Sequence, residues 1–433
     1  MSPRRVLVVT YPYPPMPSVG GNRWLAMTKY LRRAGHEVTI LTTAAFGRAR
    51  GAEEMGVVRA EDLLAARWLR ALLRRPPLPM QGEPAPRDKA VPGIITKLVV
   101  PDHHLLTWVP FAARVARALH RQRPFDCIVT TSAYESTHLV ALLLGRRRPA
   151  WVADFRDGWT FHPWREPFPT RLQERLDRRL ETRVVRSAER TTVVERPVGE
   201  DFHRRLGIDA VHVPNGWDAE LERDVRESEL PGLPSDRILL VHTGRMLGGW
   251  GRSPRTLLRA LVRLRGEQPE LASRLLLVLA GRPDREEQEL IDSYPLGGLI
   301  HRVGHLSRGG AMALQRRADA LVLLTAPDLV WELPGKVFEY IGARRPILAL
   351  ADGNEAARVV RETGTGIAVP PGDEHAIVTA LAAAARGELA AACRPHDTER
   401  YEYPAPARAM AAEIERAIGA RRSREALDGG GAR

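Results

Sequence analysis

Short apolar runs of strand length alternate with helix-period patterns along almost the whole chain, and this alternation restricts the fold more than any other feature. In the first half the strand-like runs are Val6–Thr10, Glu37–Thr43, Asp126–Thr131, Trp151–Phe155, Thr191–Glu195 and Ala210–Pro214. Helical patterns over Asn22–Arg33, Pro110–Arg121, Ser136–Leu144 and Arg171–Ser187 separate them. Strands that are apolar throughout, interleaved with helices, predict a parallel sheet covered on both faces.

The second half repeats the pattern. Strands are predicted at Ile238–Thr243, Leu275–Ala280, Ile300–Val303, Ala320–Thr325, Pro346–Ala351 and Gly366–Val369. Helices are predicted at Pro254–Gly266, Glu286–Ser293, Gly309–Arg317, Lys336–Ala343, Glu355–Glu362 and Glu374–Arg386. The fold class is therefore α/β, with two Rossmann-like doubly wound parallel-sheet domains. Ligands in such sheets bind at the carboxyl ends of strands, so a cleft between the domains is the expected site.

The predicted domains are 1–218 and 237–400, joined by an acidic linker, 219–236, that holds Pro231 and Pro234. A helix over 401–420 follows, and the polar, glycine-rich tail 421–433 is expected to be disordered. Six prolines within 76–95 exclude helix and central strand there and predict a long surface loop.

Composition narrows the function classes. A chain of 433 residues, 44% hydrophobic and 27% charged, has the composition of a globular protein with substantial cores. No apolar stretch approaches the roughly 18 residues of a membrane span. Met1-Ser2-Pro3-Arg4-Arg5 runs straight into a strand, without a signal-peptide pattern. Cys127 and Cys393 form neither a disulfide framework nor a metal-ligand spacing, which suits a reducing cytoplasm. The net charge of +13 resides in residues 1–200, with 33 Lys and Arg against 19 Asp and Glu. An Arg-rich composition, attraction to an anionic inner membrane face and nucleic-acid binding all produce such an excess. No nucleic-acid-binding signature accompanies it.

Several residues could carry chemistry. Gly20-Gly21 opens the first helix, where bare backbone N–H groups can approach an anion; the alternative is a tight turn needing positive φ. Asp157, in Asp154-Phe155-Arg156-Asp157-Gly158-Trp159, follows a buried strand, and charges there either face a ligand or form an Asp–Arg pair. His138 begins the preceding helix. Arg245 ends the first strand of the second sheet and Arg252 follows; either could neutralise a diphosphate.

Pro334-Gly335-Lys336-Val337-Phe338-Glu339 is the sharpest feature. Gly335 can present N–H groups to a phosphate at a helix entrance, Lys336 adds a point charge, and Glu339, one turn on, can accept from ribose hydroxyls. There is no Asp-x-Asp and no metal-ligand cluster, so no metal and no other cofactor is expected.

Together these segments resemble the GT-B glycosyltransferases, and among them the retaining family 4. The likeness rests on Tyr11-Pro12-Tyr13-Pro14-Pro15 with Gly20-Gly21 and Arg23, and on Gly35-His36-Glu37-Val38-Thr39. It extends through the Asp154–Trp159 motif, similar to one of a surface-polysaccharide and antibiotic branch, and through Pro214-Asn215-Gly216-Trp217-Asp218. Pro334–Tyr340 followed by Pro346-Ile347-Leu348-Ala349 completes it.

The resemblance implies a nucleotide-diphosphate sugar donor on the second domain and an acceptor on the first, the acceptor being a glycan, a lipid-linked saccharide or a small-molecule aglycone. It implies Glu339 on the ribose, Gly335 and Lys336 on the diphosphate, Arg245 and Arg252 on the leaving phosphates, and Gly20-Gly21 closing over the diphosphate. Asp157 and His138 would orient acceptor or sugar. Transfer would retain anomeric configuration without a metal, and the final helix would cross back to the first domain. Where the family often has a Glu eight positions before Glu339, this chain has Trp331, with Glu332 one residue off. A nucleotide-sugar 2-epimerase of the same fold and a non-catalytic nucleotide-sugar or anionic-lipid binding module are the rival expectations.

Overall fold

A computed structural model describes residues 2–16, 19–48, 51–63, 97–132, 134–161, 165, 167–230, 232–247, 251–327 and 329–430. The proline-rich stretch 76–95 lies outside them. The chain divides into two units, Met1–Pro214 with Pro404–Arg433, and Asn215–Tyr403.

The first unit is built on a seven-stranded sheet of order β3-β2-β1-β4-β5-β6-β7. Its strands are β1 Arg5–Thr10, β2 Glu37–Thr43, β3 Val57–Ala60, β4 Cys127–Thr131, β5 Ala150–Phe155, β6 Arg190–Val193 and β7 Val211–His212. Every pairing is parallel. Helices α1 (Val19–Arg33), α2 (Val109–Gln122), α3 (Leu139–Leu144), α4 (Arg171–Ser187) and α5 (Arg196–Leu206) connect them. All six residues of β5 are buried, which is why its sequence reads as continuously apolar up to Asp154. The strand order reverses between β1 and β4, the switch point at which such sheets open a crevice.

The second unit repeats the plan with six strands ordered β10-β9-β8-β11-β12-β13. They are β8 Ile238–Thr243, β9 Leu275–Ala280, β10 Ile300–Gly304, β11 Ala320–Leu324, β12 Ile347–Leu350 and β13 Gly366–Val369. The main helices are α6 (Arg255–Glu267), α7 (Arg285–Asp292), α8 (Arg308–Arg317), α9 (Lys336–Ala343), α10 (Glu355–Glu362) and α11 (Glu374–Ala385). Its switch point lies between β8 and β11.

Two expectations are corrected. Residues 219–236 are no free linker: Arg226 donates its amide to Gly309 O at 3.1 Å, and Leu230 and Leu233 pack on the core that holds Phe338. The unit boundary falls instead at Pro214. Trp217 and Tyr401 then run side by side (N–H to O, 2.9 Å), with Tyr403 bonding back to Trp217 O.

The last helix, α12, runs from Ala405 to Gly430, well past the predicted end at 420, so residues 421–430 are helical rather than disordered. Arg421 donates to Arg146 O at 2.6 Å and tethers that extension to the first unit. Earlier in α12, the buried Glu413 accepts from Arg190 and Glu415 accepts from Arg4. Among the described residues no helix is long and apolar enough to cross a membrane.

Candidate functional site

In the second unit the predicted residues converge on the carboxyl end of β8. The chain leaves Thr243 through Gly244, whose φ of +92° a side chain would strain. A Cβ there would also lie 2.9 Å from Lys336 Cε and Nζ, so the end of the lysine would have to move aside. Lys336, the first residue of α9, therefore lies across Gly244. At that helix start the amides of Gly335 and Lys336 have no intrahelical acceptor. Burial and the neighbouring Arg252 push the Lys336 ammonium down to about 8. It is the only lysine after residue 97 in a chain that otherwise uses arginine. A compact ammonium with a movable pKa thus stands where arginine is the ordinary cation of this sequence.

Glu339 lies one turn into α9 and is exposed. Gln315 connects it to the sheet, donating to Thr243 Oγ1 at 2.9 Å and reaching Glu339 Oε2 at 3.5 Å. Beneath, Thr243 N–H donates to Tyr340 Oη at 3.2 Å. His242 is buried and held neutral, pushed down to about 3 by burial and by Lys336, and its Nδ1 lies 2.8 Å from Val322 O.

Arg245 is ion-paired with Asp284, the N-cap of α7, and lies 3.8 Å from Glu287. Its guanidinium is therefore anchored while part of it stays exposed. Arg252 Nη1 stands 3.9 Å from Glu332 Oε1. Glu332 accepts from Ala326 N–H at 2.5 Å, and burial raises its pKa. The carboxylate one residue off the family register thus braces the end of β11 and pairs with Arg252.

In the first unit, Gly20 and Gly21 lie in the first turn of α1 without positive φ, so they are not the tight turn that was the alternative. What requires glycine is proximity: a Cβ on Gly20 would coincide with the Arg156 guanidinium. Arg156 is fixed by donating N–H to Ser132 Oγ at 3.0 Å and Nε–H to Ser132 O. A guanidinium lying against a helix N-terminus places two positive ends together, an arrangement that favours an anion beside them. Asp154 takes no part. It is fully buried and accepts from Arg23, Thr131 and Thr192 at 3.2, 2.9 and 2.8 Å, so the Asp–Arg pair of the motif is Asp154 with Arg23. Asp157 is exposed just beyond.

His138 does not join these groups. Trp151 donates to Thr130 Oγ1, whose hydroxyl lies 2.8 Å from His138 Nδ1, and the ring stacks 4.4 Å from Phe155. With no exposed surface and a pKa pushed down by burial to about 3, it is a neutral histidine packed in the core of the first unit, away from the exposed Asp157.

Sequence reasoning missed Glu135, which follows β4 at the switch point. Burial raises its carboxyl to about 7, offset partly by Arg165. The rings of Tyr134 and His104 pack beside it, 4.1 Å apart and tilted by 57°. Nothing in the sequence marks this carboxylate, because burial and the charges of Asp102, Asp157 and Arg165, brought together only by folding, set its pKa.

Comparison with known proteins follows the two units. Residues 20–216 match the model described as Glycosyl transferase 4-like domain, and residues 237–386 match Glycosyl transferases group 1. Over 206 residues the chain is 29% identical to a phosphatidyl-myo-inositol mannosyltransferase of Mycobacterium leprae, which covers 46% of this chain and 51% of that protein. The match thus spans about half the length of the curated relative. Among solved structures the chain is similar to the sucrose-phosphate synthase of Thermosynechococcus elongatus (TM-score 0.63, 18% identity, 96% of this chain and 100% of that one). It is also similar to the UDP-GlcNAc 2-epimerase of Neisseria meningitidis bound to UDP-GlcNAc (TM-score 0.51, 9% identity, 95% and 99%). At these identities the likeness is one of fold.

Proposed function

Because the chain belongs to the GT-B glycosyltransferases of family 4 type, we propose that it transfers a sugar from a nucleotide-diphosphate donor held by its second unit to an acceptor hydroxyl held by its first. The observation that carries the donor assignment is Lys336 lying across Gly244 at the start of α9, with Glu339 one turn further. Gly335 and Lys336 take the diphosphate, Glu339 the ribose, and Arg252 and Arg245 the charge that develops on the leaving group. The anomeric C–O bond to phosphate breaks while the acceptor oxygen bonds to the same face, and a leaving phosphate oxygen takes the acceptor proton. Configuration is retained, and cationic side chains with a helix N-terminus supply the neutralisation that a metal provides elsewhere.

On the first unit, Gly20, Gly21 and Arg156 form an anion-facing edge, and Asp157 orients the acceptor. The acceptor class is a glycan, lipid-linked saccharide or small-molecule aglycone, and the products are glycans, cell-surface polysaccharide or glycosylated natural products. The enzyme works in the cytoplasm at an anionic membrane face.

Calorimetry with UDP-, GDP- and dTDP-sugars, together with transfer assays, tests the reading. Glu339→Ala and Lys336→Met should each weaken donor binding about tenfold or more. Unchanged binding and transfer in both would overturn it. Donor incubated without acceptor should yield no epimerised sugar; such a product would instead favour the epimerase reaction.

A further inference from the structure

The outer face of α4 concentrates arginine. At about 100° per residue, Arg171, Arg175, Arg178, Arg179, Arg183 and Arg186 fall within one arc of the helix. All six are exposed. Among the described residues none of them forms an ion pair, and six unpaired guanidinium groups thus share one face of a single helix. The helix is inverted in charge: its acids point inward, with Asp177 bonded to Trp159 and Arg165, and Glu181 bonded to Thr160 and Arg205. The inner carboxylates are thus already neutralised and leave the outer cations uncompensated.

The same arc carries Leu172 and Leu176, 72% and 46% exposed. Leu98, 62% exposed, adjoins the same end, where Gln173 donates to Leu98 O at 3.1 Å. Unpaired arginines interleaved with exposed leucines are the composition of a helix that lies in a lipid interface, apolar groups at the acyl boundary and cations among the headgroups. No aromatic side chain lies in the arc to stack on bases, as a nucleic-acid groove would require.

We propose that the outer face of α4 is the surface through which the enzyme docks on a bilayer of anionic phospholipid. The inference rests on the membrane reading given above and assigns it a place. Sedimentation with phosphatidylcholine vesicles, with and without phosphatidylglycerol, tests both levels using the full chain. Wild type should bind the anionic vesicles and release as salt rises. The variant R175Q/R179Q/R183Q should bind them about tenfold more weakly or worse. L172S/L176S should lose the binding that survives high salt, and the exposed Arg285→Gln on the second unit should change nothing. Circular dichroism and nucleotide binding should match wild type in every variant, which separates lost docking from lost folding.

If wild type binds anionic vesicles and the α4 variants bind equally well, the surface lies elsewhere and only this inference falls. If wild type binds no vesicle, the membrane reading falls with it. Binding to single-stranded DNA as tight as to vesicles and indifferent to the leucines would replace lipid by nucleic acid as the occupant.

Discussion

Lys336 and Gly244 share one volume: the lysine side chain fills the space that any side chain at position 244 would need, 2.9 Å from an added Cβ. Gly244→Ala therefore meets two penalties, a positive φ and a displaced ammonium. The strain alone costs about 1–3 kcal/mol, which chemical denaturation should register. Donor affinity should fall more steeply than stability, because Lys336 must leave its place over the loop. Intact donor affinity in a destabilised variant would show that the lysine is not bound by this packing.

The depressed pKa of Lys336, about 8, should make donor binding pH-dependent if the lysine meets the diphosphate. Below pH 8 the ammonium is charged and meets a diphosphate directly. Above it, binding must first take up a proton, so affinity should fall by up to about tenfold per pH unit until the pKa of the complex is reached. Lys336→Arg stays charged and should flatten this profile even if it binds less well. The sign for stability is the reverse. A lysine held below its ordinary 10.5 opposes folding while it is protonated, fully so below pH 8, and the opposition fades between 8 and 10.5. Lys336→Met should then stabilise the unliganded protein at pH 7 while impairing donor binding, a trade visible by thermal unfolding with and without nucleotide.

Glu339 is exposed and only lightly tied, at 3.5 Å, to Gln315. Glu339→Ala should leave stability within about 0.5 kcal/mol but weaken a ribonucleotide-sugar donor about tenfold. The loss should be smaller for a nucleotide lacking one ribose hydroxyl, since that ligand has less to lose. Equal losses for both would move Glu339 off the ribose.

How much of this was readable beforehand follows from what each signal depends on. β8, β9 and β13 were legible to the residue because an apolar run bounded by polar turns leaves no other register. β3 escaped because Val57–Ala60 is too short and too mixed to stand out. α12 was cut short because polar composition was read as disorder, whereas Arg421 finds its partner in Arg146 O, hundreds of residues away. The Lys336–Glu339 turn was legible because a helix start and its first turn are local in sequence. The burial of His138 was not legible for the opposite reason: only the tertiary stack on Phe155 and the Thr130 contact place it in the core. Glu135 depends on burial and was invisible.

Arg156 and Gly20 supply the last prediction. The guanidinium sits where a Gly20 side chain would begin, held at one end by Ser132 and facing the first turn of α1 with the other. Burial lowers its pKa, opposed by Asp157 and Asp154, yet it stays charged at any physiological pH. Gly20→Ala cannot keep this arrangement, because the methyl and the guanidinium claim the same space. The arginine must swing out and take its charge with it. Arg156→Met removes the charge and leaves α1 in place. If this corner of the first unit attracts a phosphate or carboxylate, both variants should slow transfer by a similar factor of about ten to a hundred, and the double variant should be no worse than either. If Gly20 matters only for packing, Gly20→Ala should destabilise the fold while Arg156→Met retains full transfer, and the two effects should add.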